Sequence, residues 1–325
     1  MKSKLWFLLV VIMVMAMLVG CTAATQGQPY QNGKPIRLLS PNQQHPVVRT
    51  MALGFQDACK DLKLYCVDNS FVGVDFSLMV PAVDIAINQG TSGIIAFYDT
   101  AVLAQDKRLV AAGIPSVAIH TQVPEGVVPG WLGYVAPDDV SYAKAAADAM
   151  GAKLGGKGTV ATVQLDLNDV ENLVQSSFAA EMKAKYPDVV VLAPQMEGSD
   201  PTAAIAADAS VLQAHPEITG VFGSTGGSAD SWTKALQQAG KKPGDIVVIG
   251  MDYTAQNLQD IQDGWVYACV GQPLYQETYD AVVLLAAHLQ GKATQFANID
   301  AAPIVTVADI AKYKALNDRV AAEGK

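Results

Sequence analysis

Polar residues follow most of the apolar, strand-length runs in this sequence. The segments are 42–45 (NQQH), 98–100 (YDT), 120–122 (HTQ), 166–169 (DLND), 224–227 (STGG), 252–254 (DYT) and Gln272. Most of their side chains donate or accept hydrogen bonds, and none is Lys or Arg. Surface loops are polar in most proteins. This selection of residue types nevertheless indicates a site for a neutral, hydroxyl-rich ligand.

One of these segments belongs to a glycine-rich stretch, GSTGGSADSW (223–232), between a strand-like run and a helical pattern. Backbone N–H groups in such a place can bind phosphate. The stretch lacks the GxxxxGK[ST] and GxGxxG spacings, and Lys234 falls inside the following helix. We interpret it as a ligand-contacting loop, through Ser224 or Thr225, rather than as a nucleotide site.

No nucleophile and base are arranged for catalysis. The GxSxG motif of serine hydrolases is absent, and the chain has only four histidines. His215 and His288 lie in helical patterns and are interpreted as structural. His45 and His120 follow strands and are candidate ligand residues. The sequence therefore predicts a binding protein and not an enzyme.

The acidic residues do not form a recognisable metal site. Asp166 and Asp169 are open to acid–base or cation-binding interpretations, but no loop has the alternating oxygen ligands of a calcium site. No Cys/His spacing matches zinc. Asp138 and Asp139 are interpreted as the N-terminal cap of the next helix. We predict neither a metal nor a cofactor.

Strand-like runs alternate with helical patterns along most of the chain. The predicted strands are 36–40, 64–67, 93–97, 116–119 and 130–135, followed by 159–165, 189–193, 220–223, 246–251 and 268–271. The predicted helices include 46–62, 141–154, 172–185, 201–215, 228–240 and 274–291. Val/Ile-rich strands without alternation are typical of buried parallel sheets. The pattern predicts an α/β fold with two series of parallel strands, whose carboxyl ends carry the polar segments.

Composition excludes one class of partner. The chain has 325 residues, enough for two domains, and a formal net charge of −9. An acidic protein without a Lys/Arg cluster is not expected to bind nucleic acid.

The N-terminus has the features of an export signal. Lys2 and Lys4 precede an apolar run over 5–18, which is short for a membrane span. The sequence LVGC (18–21) resembles a bacterial lipobox, which implies cleavage after residue 20 and lipidation of Cys21. Residues 21–35 would be a flexible tether. An ordinary secretory signal remains the alternative. Either implies an extracytoplasmic location, and the lipobox implies anchoring to the membrane.

Three further cysteines are present, Cys59, Cys66 and Cys269. Cys59 lies near the end of a predicted helix, and Cys66 lies in the next predicted strand. An exported protein meets an oxidising compartment, so a disulfide between these two is possible. The sequence leaves open whether it forms.

Taken together, the chain resembles the type I periplasmic sugar-binding proteins of ABC importers, in particular the ribose-binding group. The resemblance covers roughly residues 34–309. The segments that carry it are GIPSVAIHTQ (113–122), YVAPDDVSYAKAAADAM (134–150), HPEITGVFGSTGGSADSWTKALQQAGK (215–241) and VVIGMDYTAQNLQDIQDGWVYACVGQP (247–273).

The resemblance implies two Rossmann-like lobes joined by a three-strand hinge, with the ligand between them. The first lobe would comprise 36–134 plus 274–301, and the second 138–270 plus 305–325. The hinge would lie near 135–137, 271–273 and 301–304.

Only some of the family's ligand-binding residues have a matching residue in this sequence. Asp252 and Gln272 match the family's sugar-binding aspartate and hinge glutamine. His120-Thr121 stands where the ribose group has Asp-Arg, and Val174 stands where it has arginine. His45, Val47 and Val48 replace an asparagine and two stacking phenylalanines. The full set of candidate ligand residues is Asn42, Gln44, His45, Tyr98, Asp99, His120, Thr121, Asn172, Thr225, Asp252, Tyr253 and Gln272.

The implied function is capture of a sugar or similar polyhydroxylated molecule by lobe closure and delivery to an ABC permease. The expected protein is a monomer. The alternative is a sensing protein of the autoinducer or chemotaxis type, which presents its ligand to a membrane receptor.

Overall fold

The computed structural model describes residues 33–73, 76–165 and 169–323. The predicted signal peptide, Cys21 and almost all of the predicted tether lie outside the described residues, as does Asp166.

Strands and helices alternate along the chain. The strands are β1 (Ile36–Leu39), β2 (Cys66–Asp68), β3 (Gly93–Phe97), β4 (Ser116–Ile119), β5 (Gly133–Pro137), β6 (Gly158–Gln164), β7 (Val189–Val191), β8 (Gln195–Met196), β9 (Ile218–Gly223), β10 (Val247–Met251), β11 (Ala268–Val270), β12 (Ala297–Asp300) and β13 (Ile304–Val305). The helices are α1 (Pro46–Asp61), α2 (Met79–Gln89), α3 (Leu103–Ala111), α4 (Asp139–Lys153), α5 (Asp169–Lys185), α6 (Pro201–Ala214), α7 (Ser228–Gln238), α8 (Ala255–Gln262), α9 (Leu274–Leu289) and α10 (Ile310–Glu323).

Two sheets form the centres of two lobes. The first sheet has the order β12-β5-β4-β3-β1-β2, and all its strands are parallel. The second has the order β13-β11-β10-β9-β6-β7, with β8 also paired to β6, and only β13 is antiparallel. We call the first sheet with α1–α3 and α9 the first lobe, and the second sheet with α4–α8 the second lobe. The predicted two-lobe α/β fold is confirmed.

Each lobe has a buried apolar core between its sheet and its helices. In the first lobe, Leu38 of β1 and Phe55 of α1 are fully buried. In the second, Trp232 of α7 is fully buried, and the rings of Phe178 and Phe222 stack at 4.3 Å between centroids. Burial of side chains this large stabilises a fold by about 1.5–3 kcal/mol each.

Local sequence signals fix where several helices begin and end. Pro46 occupies the first turn of α1, where its missing N–H leaves no hydrogen bond unmade. The Asp200 carboxylate accepts from the Ala203 N–H and caps α6. Gly240 and Gly291 follow the last turns of α7 and α9 with φ of 69° and 73°, a conformation that favours glycine.

Helices α1 and α9 pack closely because of one glycine. A Cβ atom on Gly54 would lie only 2.1 Å from the Tyr275 carbonyl oxygen. Any larger residue at this position would push α9 away from α1. The close approach fixes the start of α9, which carries a site residue described below.

The chain passes between the two sheets three times. It leaves the first sheet after β5, returns after β11 to form α9, and leaves again between β12 and β13. These passages coincide with Pro137, with 271–273 and with 301–303. The strand β12 pairs with β5, whereas β13 pairs with β11.

The C-terminal helix α10 contacts both lobes. The Arg319 guanidinium lies 2.7 Å from the Asp57 carboxylate of α1, and Arg49 of α1 donates to the Val320 carbonyl at 3.1 Å. Asn317 of α10 donates to the Tyr253 carbonyl of the second lobe. The helix therefore bridges α1 and the loop after β10.

Cys59 of α1 and Cys66 of β2 form a disulfide, and Cys269 is a buried free thiol. The bridge closes a short loop, so it restricts the unfolded chain moderately. Replacing both cysteines by serine is expected to lower the free energy of unfolding by roughly 2–3 kcal/mol. Urea denaturation measures this difference.

Reductant provides the control for this prediction. It should lower the denaturation midpoint of the wild-type protein and leave the double serine variant unchanged. An effect of reductant on the variant would contradict the assignment of the stabilisation to this bridge.

Candidate functional site

The loops at the carboxyl ends of the two sheets meet in a small cavity between the lobes. Its walls are Pro46, Val47, Thr50 and Leu274 of the first lobe, Asp252, Tyr253 and Thr254 of the second lobe, and Asn317 of α10. A Cβ atom on Gly226 would lie 2.5 Å from Asp252 Oδ2 and 3.3 Å from Val47 Cγ2. Glycine at this position allows the loop after β9 to approach both lobes' site residues.

Asp252 follows β10 and is the most constrained residue of the site. Its φ is 66°, a left-handed conformation that Asp tolerates better than most residues, and it is only 2% exposed. Asn257 Nδ2 donates to the Met251 and Asp252 carbonyls at 2.8 and 3.2 Å, which fixes the turn. Asp252 Oδ1 has no hydrogen-bond partner among the described residues. The carboxylate is therefore free to accept from a ligand.

His120, after β4, pairs with Glu277 in the first turns of α9. The distance between His120 Nδ1 and Glu277 Oε1 is 3.0 Å, and Glu277 is fully buried. Burial alone would lower the pKa of His120, but the charge and hydrogen bond of Glu277, with the charges of Asp252 and Asp139, raise that pKa to about 9. The imidazole is therefore a cation at neutral pH.

Asp139 brings a third carboxylate close to His120. It is 2% exposed, and burial raises its pKa to about 6 against the lowering effects of the His120 charge and a hydrogen bond from Tyr142. The pKa of Asp252 is raised to about 7, first by burial, with His120 lowering it and Glu277 raising it. One oxygen each of Asp139, Asp252 and Glu277 lacks a partner among the described residues.

The interpretation of Asp138 and Asp139 as a cap is half correct. Asp138 accepts from the Ser141 N–H at 3.0 Å and caps α4. Asp139 is instead the first residue of the helix, and its side chain is buried near His120. The helix starts two residues earlier than the predicted 141–154, because the cap is Asp138 alone.

Two other predicted ligand residues lie beside this cluster in sequence. Thr121 follows His120, and its buried Oγ1 has no partner among the described residues. Gln272, in the passage from β11 to α9, is 6% exposed. Neither side chain is among the residues of the cavity walls.

The loop over 42–45 is used partly for its own structure. Asn42 has φ of 51°, and its carbonyl accepts from the His45 N–H at 2.8 Å. His45 caps α1, because its Nδ1 accepts from the Val47 N–H at 3.3 Å. Burial lowers the pKa of His45, which keeps it a neutral acceptor. Gln44 is exposed.

Thr225, after β9, donates inward to a buried carboxylate. Its Oγ1 lies 2.8 Å from Glu197 Oε1, which also accepts from Ser228. Burial raises the pKa of Glu197, and Glu197 itself is only 4% exposed. This buried network holds the loop 224–227 against the segment after β8.

The remaining predicted residues lie in other surroundings. Asn172 is exposed on α5, and its side-chain oxygen accepts from Gln164 at 3.0 Å. Asp99 caps a short 3-10 turn through the Ala101 N–H. Tyr98 is buried with its ring edge-on to Trp131.

Tyr253 belongs to both a core and the site. It is 5% exposed, and its ring lies 4.5 Å from that of Tyr313 of α10. It also lines the cavity next to Asp252. Its position therefore ties α10 to the site.

Glu277 and Asp139 are absent from the predicted set because both lie on helices and not at strand ends. A signal for Glu277 was nevertheless present. It falls on the same helical face as Leu274, Ala281 and Leu285, all of which are buried. An acid on an apolar helix face is typical of a paired or functional carboxylate.

Within the described ranges, His, Cys, Asp and Glu side chains form no group of three that could hold a metal. Across the same part of the chain, no helix has the length and apolarity needed to span a membrane.

Comparisons with known proteins agree on one family. A xylitol-binding protein of Mycolicibacterium smegmatis is 27% identical over 193 residues, 58% of this chain and 54% of that protein. The chain thus aligns with about half of that relative's length. A D-apiose import binding protein of Actinobacillus succinogenes is 24% identical over 285 residues, 86% of this chain and 89% of that protein.

The fold has close counterparts among solved structures. A carbohydrate transporter solute-binding protein of Agrobacterium radiobacter, in complex with D-arabinose, superposes with a TM-score of 0.80 at 20% identity, covering 88% of this chain and 99% of that one. The family described as periplasmic binding protein domain matches residues 36–293. The resemblance predicted from the sequence is confirmed: the chain belongs to the periplasmic binding protein domain family.

Proposed function

We propose that this protein is the solute-binding component of an ABC importer and captures a sugar or similar polyhydroxylated molecule between its lobes. The observation that carries the proposal is the buried Asp252 carboxylate, which lines the cavity and has an oxygen without a partner among the described residues. A buried carboxylate accepts strong hydrogen bonds from hydroxyl groups. The relatives named for xylitol and D-apiose, and the structural neighbour solved in complex with D-arabinose, support this ligand class.

Lobe closure is the proposed mechanism. Val47 of the first lobe and Asp252 of the second face the same cavity, so a ligand there contacts both lobes at once. A ligand that binds only the closed arrangement shifts the population toward it. The three passages between the sheets, near 135–137, 271–273 and 301–304, are the proposed hinge. Small-angle scattering should detect a smaller radius of gyration with ligand.

The proposed setting is extracytoplasmic, with Cys21 lipidated and the closed lobes recognised by permease subunits. The LVGC sequence supports the anchor. Metabolic labelling with a fatty acid of cells that express the wild-type chain or a Cys21→Ser variant tests it, because only the wild-type chain should take up the label.

A thermal-shift screen tests the ligand class. Pentoses, hexoses, polyols, nucleosides and amino acids are added to the purified protein, and its melting temperature is recorded. A ligand at 100 times its Kd stabilises the folded state by about 2.7 kcal/mol, which is a shift of several degrees. We expect shifts with sugars or polyols. Shifts confined to hydrophobic or strongly anionic compounds would contradict the proposal.

A further inference from the structure

Two of the loops at the site are tied together by one buried side chain. Asn257, in the first turn of α8, is 1% exposed. Its Nδ2 donates to the carbonyl of Met251, at the end of β10, at 2.8 Å and to that of Asp252 at 3.2 Å. The same atom donates to the Gly226 carbonyl, in the loop after β9, at 3.2 Å. One amide group therefore holds the turn at Asp252 and the neighbouring loop in a fixed relation.

The start of α8 sets the position of this amide. Thr254 caps the helix, because its Oγ1 accepts from the Asn257 N–H at 3.1 Å. Three carbonyl oxygens surround Asn257 Nδ2, which carries only two hydrogens, so one hydrogen is shared between two acceptors. The backbone of the two loops thus uses the whole donor capacity of the amide, and none of it is left for a ligand.

Asp252 needs support from its neighbours because its backbone conformation is unfavourable. Its φ of 66° is left-handed, and a residue with a side chain keeps such a conformation only where the surrounding structure imposes it. The Asp252 N–H donates to the Val270 carbonyl at 2.7 Å, and Asn257 donates to the Asp252 carbonyl. The two bonds hold the peptide groups on both sides of the Asp252 Cα, and the direction of the carboxylate follows from them.

The loop after β9 restricts the same carboxylate from a second side. The Gly226 backbone lies against Asp252 Oδ2, so closely that a Cβ atom on Gly226 would be 2.5 Å from this oxygen. Glu197 holds the loop through the Thr225 hydroxyl, whereas Asn257 holds it at Gly226, beside the carboxylate. Movement of the loop away from α8 would allow the carboxylate to turn.

We propose that Asn257 is a positioning residue for ligand binding, which acts by holding the Asp252 carboxylate in the direction that a ligand in the cavity requires. The inference rests on the proposed function, in which Asp252 accepts hydrogen bonds from the ligand. Without the amide, the turn relaxes toward ordinary backbone conformations, and the ligand binds only the molecules that keep the correct one. A correct fraction of about one tenth lowers the apparent affinity about tenfold.

Asn257→Ala tests the proposal, because it removes all three hydrogen bonds and suits a helix. The probe is the compound with the largest thermal shift among D-arabinose, D-xylose, D-ribose, D-glucose, xylitol and D-sorbitol. We expect calorimetry to show that the variant binds this probe about tenfold less tightly than the wild type, a difference of about 1.4 kcal/mol. Asn257→Ser, which keeps one hydroxyl donor, is used if Asn257→Ala does not fold.

A double-mutant cycle separates positioning from general stability. The loss of affinity caused by Asn257→Ala is measured a second time in the Asp252→Asn background. If Asn257 acts through the Asp252 carboxylate, its effect in that background should shrink to about threefold or less. Equal losses in both backgrounds would overturn the inference.

Thr162→Val is the matched control for the loss of a buried hydrogen bond. Thr162 of β6 is 1% exposed, its Oγ1 donates to the Leu192 carbonyl at 3.1 Å, and it is not among the residues of the cavity walls. This variant should melt at a lower temperature and bind the probe as the wild type does. A loss of affinity as large as that of Asn257→Ala would overturn the inference. Where Asp252→Asn binds too weakly for the cycle, this comparison decides.

The outcomes separate the two proposals. If none of the sugars and polyols binds the wild-type protein, the proposed function fails and the inference fails with it. If one of them binds and Asn257→Ala binds it equally well, the inference alone is overturned and the proposed function stands.

Discussion

Asp252→Asn is expected to remove most of the ligand-induced rise in melting temperature. The carboxylate accepts from ligand hydroxyl groups, and each hydrogen bond to a charged group contributes about 1.5–3 kcal/mol. Asparagine keeps one acceptor oxygen but has no charge and replaces the other oxygen by a donor. Loss of one such bond corresponds to a loss of affinity of about 10- to 100-fold. Asparagine is the correct replacement because it tolerates the φ of 66°, whereas alanine would add backbone strain.

Asp200→Asn is the matched control. Asp200 is an exposed aspartate whose carboxylate caps α6 through the Ala203 N–H, and it is not among the residues of the cavity walls. Its ligand response should equal that of the wild-type protein. A full response in Asp252→Asn, or a loss in Asp200→Asn, would contradict the assignment of ligand binding to Asp252.

Glu277→Gln is expected to destabilise the protein by about 3 kcal/mol near pH 6.5. Removal of one partner from a buried ion pair leaves the other charge uncompensated. Here the remaining group is His120, whose imidazolium is held by Glu277 at 3.0 Å. Urea denaturation of the wild type and the variant measures the difference in the free energy of unfolding.

The effect should depend on pH in a defined direction. The pKa of His120 is about 9 in the folded protein, above its ordinary value of 6.5. A group whose pKa is higher in the folded than in the unfolded protein stabilises the fold. This stabilisation is complete at a pH below the pKa of the unfolded state and is lost as the pH rises through the pKa of the folded state. The difference between wild type and Glu277→Gln should therefore narrow between pH 6.5 and pH 9. A difference that stays constant would contradict the charged state assigned to His120.

The exposed pair His215–Glu217 provides the control for this experiment. Its atoms are 3.1 Å apart, close to the buried pair's distance, but both side chains are about half exposed. Exposed ion pairs contribute little because water solvates both charges. Glu217→Gln should leave the denaturation midpoint and its pH dependence unchanged.

The sequence predicted the central strands well because their burial is complete on both faces. The strands 93–97 and 116–119 agree with β3 and β4 at both ends, and every residue in them is buried except the half-buried Phe97. The edge strand β12 was not predicted, since its residues alternate between exposed and half-buried and include Asn298 and Asp300. The helix α10 was also missed, because only Val320 on it is buried and no apolar face stands out.

The site was partly predictable for a geometric reason. Parallel strands end at one edge of a sheet, so residues directly after β4 and β10 could be grouped without a structure. This found His120 and Asp252. Glu277 could not be found in this way, because the packing of α9 against α1 and not a strand end brings it to His120. Thr225 also follows a strand, but the sequence could not reveal that Glu197 accepts a hydrogen bond from its hydroxyl.

The bridging helix α10 suggests that the overall affinity for ligands and the preference among ligands are set by different surfaces. Its contacts with α1, through Arg319 and Asp57 and through Arg49 and Val320, do not involve the three carboxylates around His120. If these contacts change the equilibrium between open and closed lobes, the affinity of every ligand changes by the same factor. In the closure proposed above, the cavity sets the rank order of ligands, whereas the contacts of α10 with α1 change all affinities together. A substitution at Arg319, apart from the cavity-lining Asn317, would then change affinity without changing the rank order.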